Sequence, residues 1–112
     1  MINFHHVGKE LYCEQVPLGD IVRDVGTPVY VYSKTSICNN IEVLQGAFES
    51  LNVRICYSVK ANSNLSILRL MAGKGIGADI VSGGELFRAV RAGLDPKKFV
   101  FAGVGKTPAE LR

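Results

Sequence analysis

Lys60 ends a run from Val53 in which a period of two sets Ile55, Tyr57 and Val59 on one face and Cys56, Ser58 and Lys60 on the other. The first face is bulky and predicts covering helices. The second is small and polar and ends in an amine at the C-terminal end of the strand, where βα enzymes place their catalytic groups. A lysine amine is a nucleophile only when unprotonated, a state that burial and a neighbouring cation favour. Taken alone, this position reads as a solvated surface lysine before it reads as a nucleophile. A second chemical candidate is Asp79, a carboxylate inside an otherwise apolar strand, which needs a cationic or hydrogen-bonding partner or must be neutralised.

Other constellations do not hold. Gly103-Val104-Gly105-Lys106-Thr107 has the end of a phosphate-binding loop, but Val100 stands where the pattern requires glycine. Gly73 to Ala78 matches a dinucleotide fingerprint, but it precedes a strand, whereas the fingerprint follows one and opens a helix. His5 and His6 have no Cys or acidic residue at ligand spacing, so no metal site is expected. Cys13, Cys38 and Cys56, spaced by 25 and 18 residues, fit reduced thiols and a cytoplasmic location better than a disulfide framework. The net charge of +3 is scattered along the chain, which argues against a nucleic-acid partner. No apolar run approaches the roughly 18 residues of a membrane span, and no export signal is visible.

The elements that position Lys60 and Asp79 follow from periodicity. Glu10 to Val16 reads as a short edge strand and Leu18 to Val25 as a helix stopped by Gly26, Thr27 and Pro28. Val29 to Tyr32 has strand composition, and Thr35 to Leu51 is helical, with Ile37, Ile41, Leu44 and Phe48 at three-to-four spacing. Three strands then recur, Val53 to Val59, Ala78 to Val81 and Phe99 to Ala102, each followed by a helix signal. Asn64 or Ser66 caps a helix carrying Leu65, Leu68 and Met71, and Ser82 with Glu85 forms a capping box, which makes Glu85 structural. Thr107, Pro108 and Glu110 start a helix that Arg112 leaves unfinished, so more protein is expected to follow. Repeated βα units at roughly 21 to 25 residues suit a doubly wound sheet or a (β/α)8 barrel alike.

Four ordered blocks separate these. Tyr57-Ser58-Val59-Lys60-Ala61-Asn62 resembles the Schiff-base lysine motif of the barrel-fold pyridoxal-phosphate (PLP) decarboxylases. Gly77-Ala78-Asp79-Ile80-Val81-Ser82-Gly83-Gly84-Glu85-Leu86 and Phe101-Ala102-Gly103-Val104-Gly105-Lys106-Thr107 are similar to the second and third strands, with their loops, of the diaminopimelate decarboxylase branch. Gly26-Thr27-Pro28-Val29-Tyr30-Val31-Tyr32 resembles its entry strand. The likeness runs from about Glu10 to the last residue. Ser58 departs from it, standing where the family more often carries alanine or proline.

The resemblance implies an α/β fold: the N-terminal part of a PLP-binding (β/α)8 TIM barrel. Residues 1–34 would form a strand and helix segment leading in, and 35–112 the first helix and first three βα units. The N-terminal strands would pack on a C-terminal β domain absent from this chain. It further implies PLP as cofactor, held as a Schiff base on Lys60, with Asp79 meeting the Lys60 amine once substrate has displaced it; the alternative for Asp79 is a structural strut or cap. The implied reaction converts meso-diaminopimelate to L-lysine and carbon dioxide, the last step of lysine biosynthesis, in a homodimer. The phosphate loop, the acid facing the pyridine nitrogen and the distal substrate groups would lie beyond Arg112, so the 112 residues alone are expected to be inactive. Alanine racemases are disfavoured because Ala61-Asn62-Ser63-Asn64 follows the lysine. Ornithine, arginine and carboxynorspermidine decarboxylases remain the enzymatic alternative, and an inactive fragment or binding homologue the non-enzymatic one.

Overall fold

Glycine at position 8, with φ of 63°, turns the chain between two antiparallel strands, β1 (Phe4–Val7) and β2 (Glu10–Cys13). The computed structural model describes residues 3–112, and these divide into two compact units, one ending at Ala47 and the other running Phe48–Arg112. In the first unit β2 also pairs with β3 (Val16–Pro17), giving the order β1-β2-β3. The expected edge strand Glu10 to Val16 is therefore two strands, with the first of them central. Glu14 breaks it by taking a left-handed conformation, φ 56°, between β2 and β3.

Two helices follow, α1 (Leu18–Val25) and α2 (Lys34–Ala47). Val29 to Tyr32 is not a strand. Its β-branched and aromatic residues carry the propensity, but a strand needs a ladder partner, and none of the described segments pairs with it; Tyr30 and Tyr32 are 88% and 55% exposed. Helix α2 is shorter than the expected Thr35 to Leu51. Ser33, a buried residue, opens it: its hydroxyl accepts from the Ser36 amide at 3.0 Å and donates to the Glu14 carboxylate at 2.7 Å.

The second unit is a parallel sheet, β4 (Cys56–Ser58), β5 (Gly77–Ile80) and β6 (Phe99–Phe101), in the order β4-β5-β6. Helix α3 (Leu65–Gly73) connects the first two strands and α4 (Gly83–Arg91) the next two. Right-handed crossovers between sequential neighbours put both helices on one face. The core lies there: Val59, Leu68, Met71, Ile76, Ala78, Ile80, Ala89, Ala92 and Leu94 are all buried. Leu68 and Met71 face the sheet as their spacing requires.

The caps are the most faithfully anticipated features. The Asn64 side chain accepts from the Ser66 amide at 2.9 Å, and the Ser82 hydroxyl from the Glu85 amide at 3.1 Å. Glu85 departs from a capping box by one residue, since its carboxylate accepts from the Val81 amide at 2.7 Å and not from that of Ser82. At α5 (Pro108–Leu111) the box is complete between Thr107 and Glu110. The other Glu110 oxygen accepts from the Gly83 amide at 3.0 Å, tying the start of α5 to the first residue of α4.

Candidate active site

Strand β4 is shorter than the alternation from Val53 predicts. Its ladder with β5 runs only from Cys56↔Gly77 to Ser58↔Asp79, and a 3-10 turn, Val59–Ala61, follows. Lys60 therefore sits in the turn immediately beyond the C-terminal end of β4, not in the strand. Alternation still holds as far as Val59, which is wholly buried on the helix side. The turn is braced on its far side. The Tyr57 hydroxyl donates to the Asn62 carbonyl at 3.0 Å, Asn62 Oδ1 accepts from the Asn64 amide at 3.0 Å, and Arg88 Nε of α4 donates to the Ser63 carbonyl at 2.9 Å. Lys60 itself is exposed and has no hydrogen-bond or ion-pair partner among the described residues.

Asp79 lies on the sheet face opposite Ala78 and Ile80, in register with Ser58 on one side and Val100 on the other. Ser58 Oγ donates to Asp79 Oδ2 at 2.8 Å. Asp79 Oδ1 is closed off from solvent and has no hydrogen-bond partner among the described residues. The described structure thus brings Asp79 to Ser58 and makes no hydrogen bond or ion pair between Asp79 and Lys60. Ser58 was missed as a polar partner. The signal for it lies in the strand register, since a parallel pairing of the two blocks at their ends sets Ser58 and Asp79 side by side.

Glycine makes this face close. A Cβ on Gly77 would collide with the Lys98 carbonyl oxygen and stand 2.9 Å from Cys56 Sγ; in the loop beyond β6, one on Gly103 would stand 2.8 Å from the Val81 carbonyl oxygen. Two carboxyl groups outside the strands are held below the ordinary carboxylate range by the hydrogen bonds they accept. Glu110 accepts chiefly from the Thr107 and Gly83 amides, and Glu14 chiefly from the Ser33 hydroxyl and the Thr35 amide.

An exposed amine on a braced turn at a strand end, with no hydrogen-bond or ion-pair partner among the described residues, suits a carbonyl cofactor that is bound through an amine. Residues 34–112 match the family described as pyridoxal-dependent decarboxylase, pyridoxal binding domain. The chain is 52% identical over 101 residues to a diaminopimelate decarboxylase of Neisseria meningitidis serogroup B, covering 90% of this chain and 24% of that protein. A crystal structure of a protein from Aquifex aeolicus superposes with a TM-score of 0.91 at 45% identity, covering 97% of this chain and 27% of the other. A diaminopimelate decarboxylase from M. jannaschii in complex with L-lysine gives 0.84 at 35% identity, covering 97% and 26%. The chain thus spans about a quarter of the length of the relatives it matches. With the parallel βα units, the lysine turn and this match over residues 34–112, the chain belongs to the pyridoxal-binding domain family of the pyridoxal-dependent decarboxylases.

Proposed function

We propose that this chain supplies the cofactor lysine, Lys60, of a diaminopimelate decarboxylase that converts meso-diaminopimelate to L-lysine and carbon dioxide. The observation that carries the reading is the place of Lys60, on a braced turn directly beyond a parallel strand of a pyridoxal-binding domain. Bound pyridoxal phosphate supplies an electron sink for the pair left on the α-carbon when carbon dioxide departs. Lys60 would hold the cofactor through its ε-nitrogen. Asp79 would set its carboxylate charge beside a protonated amine at the site, with Oδ2 held by Ser58. The Tyr57–Asn62 and Arg88–Ser63 bonds fix the turn, so the lysine backbone does not have to be ordered at each turnover.

meso-Diaminopimelate is favoured over ornithine or arginine as the substrate by the 52% identity to a protein named diaminopimelate decarboxylase. In this reading residues 35–112 open a (β/α)8 barrel, and the working enzyme is a homodimer.

Borohydride reduction of the holoenzyme followed by peptide mapping tests the assignment. The pyridoxyl label is expected on Lys60, and Lys60→Ala should lose both the label and carbon dioxide release from meso-diaminopimelate. A label on Lys34, Lys74 or Lys106 with Lys60 unmodified would overturn it. Faster release from ornithine or arginine than from meso-diaminopimelate would move the substrate to the alternative.

A further inference from the structure

We propose that Ser58 is a positioning residue for the decarboxylation, acting through Asp79: its hydroxyl holds one carboxylate oxygen and so fixes the orientation of the carboxylate beside the lysine turn. The inference rests on the reading of Lys60 as the cofactor lysine.

The register places Ser58 directly opposite Asp79, and Ser58 Oγ donates to Oδ2 at 2.8 Å. Nothing else on the sheet competes for this carboxylate. The β6 residue in register is Val100, which offers no side-chain donor, and the preceding pair on the same face is Cys56 with Gly77. Ser58 is thus the hydrogen-bond partner of the Asp79 side chain among the described residues, and Oδ1 is left sealed and unpaired. A carboxylate oxygen in that state is costly, which makes the one bond that Asp79 does make the more important to its placement.

Rotation about the last side-chain bond would exchange the two oxygens of a free carboxylate. A single donor on one of them holds the carboxylate in one orientation. The hydroxyl is not needed for the strand itself, because the Ser58 backbone makes the ladder bonds whatever its side chain. Removing it also leaves the Asp79 carboxylate without its donor and costs stability, so it is the kinetics, with Ser58→Thr and the Asp79→Asn background, that read the positioning role. The loss expected on removing it is several-fold, because Asp79 remains present but less well aimed.

Steady-state kinetics on the holoenzyme decide the matter. Ser58→Ala should lower kcat about three- to tenfold with KM within about twofold of wild type, and Ser58→Thr, which keeps the hydroxyl, should restore kcat. In a background of Asp79→Asn, Ser58→Ala should cost nothing further, since the serine acts through the carboxylate. Wild-type kcat in Ser58→Ala, or a loss that multiplies fully with that of Asp79→Asn, overturns the inference. So does a loss in Ser58→Ala that Ser58→Thr does not restore. The borohydride label separates the two levels. A wild-type enzyme without label on Lys60 sinks the underlying reading, whereas a labelled Ser58→Ala enzyme with unchanged kinetics sinks only the role of Ser58.

Discussion

At Gly77 a methyl group would meet the Lys98 carbonyl oxygen, a backbone atom that cannot swing aside, and the sulfur of Cys56. The residue is itself buried, so relief must come from sliding β5 against β4 or pushing β6 away. Gly77→Ala should therefore destabilise the protein by about 3 kcal/mol, the range of a tightly overpacked core. It should also slow turnover, because Gly77 begins the strand that carries Asp79 and the Ser58–Asp79 bond lies two residues further along the same ladder. Urea unfolding checks the first part. A change under about 0.5 kcal/mol would show that the close approach relaxes freely. Lys60 differs from these residues in having no packing role among the described contacts, so its replacement is expected to affect chemistry and leave stability nearly untouched.

The elements are joined by carboxylates at helix starts. Glu14, between β2 and β3, accepts from the Ser33 hydroxyl and from the Thr35 amide at 2.8 Å, so one side chain ties the small antiparallel sheet to the first turn of α2. Glu110 does the same for α5 and α4. Both carboxyls are held below their ordinary value of 4.5 in the folded chain. The folded state then binds fewer protons than the unfolded one, so their contribution is complete above about pH 4.5 and is lost as the pH falls toward the lowered folded value. Glu14→Gln should flatten the acid limb of stability against pH while leaving its shape near neutrality unchanged. Thermal unfolding from about pH 7 to about pH 3 measures this, and an acid limb as steep as wild type would contradict it.

Burial is uneven over the whole molecule. Every buried residue from Val59 to Leu94 belongs to the parallel unit, whereas in the first unit Cys13 and Ser33 are the residues buried among those described. The apolar stripe of α2 is not buried, with Ile37 and Ile41 half-buried and Leu44 45% exposed. The three cysteines are free, one buried and two half-buried. Burial, with the Glu14 charge second, raises the Cys13 thiol above its ordinary value, and alkylation proceeds through the thiolate. Iodoacetamide at about pH 8 should therefore label Cys38 and Cys56 before Cys13, by about tenfold in rate, and all three equally once the chain is unfolded. Mass spectrometry of quenched samples gives the order. Equal native rates at the three positions would refute it. Among the described residues, no helix is long and apolar enough to cross a membrane.

Local interactions were legible in the sequence because they span only three or four residues. The caps at Asn64, Ser82 and Thr107, the buried stripe of α3 and the alternation of βα units all come from side chains bonding or packing within one turn. The three blocks from Tyr57 to Thr107 carried the family, which the match over residues 34–112 bears out. What required the tertiary structure was pairing. Val29 to Tyr32 has strand residues and no partner, β4 stops where its ladder with β5 stops, and Glu85 reaches one amide earlier than a capping box would have it. Asp79 announced its need for a donor from its composition alone, but that Ser58 meets it, across 21 residues of chain, was decided by the parallel register of β4 and β5. Residue types state what a side chain requires; only the meeting of distant strands determines which neighbour supplies it.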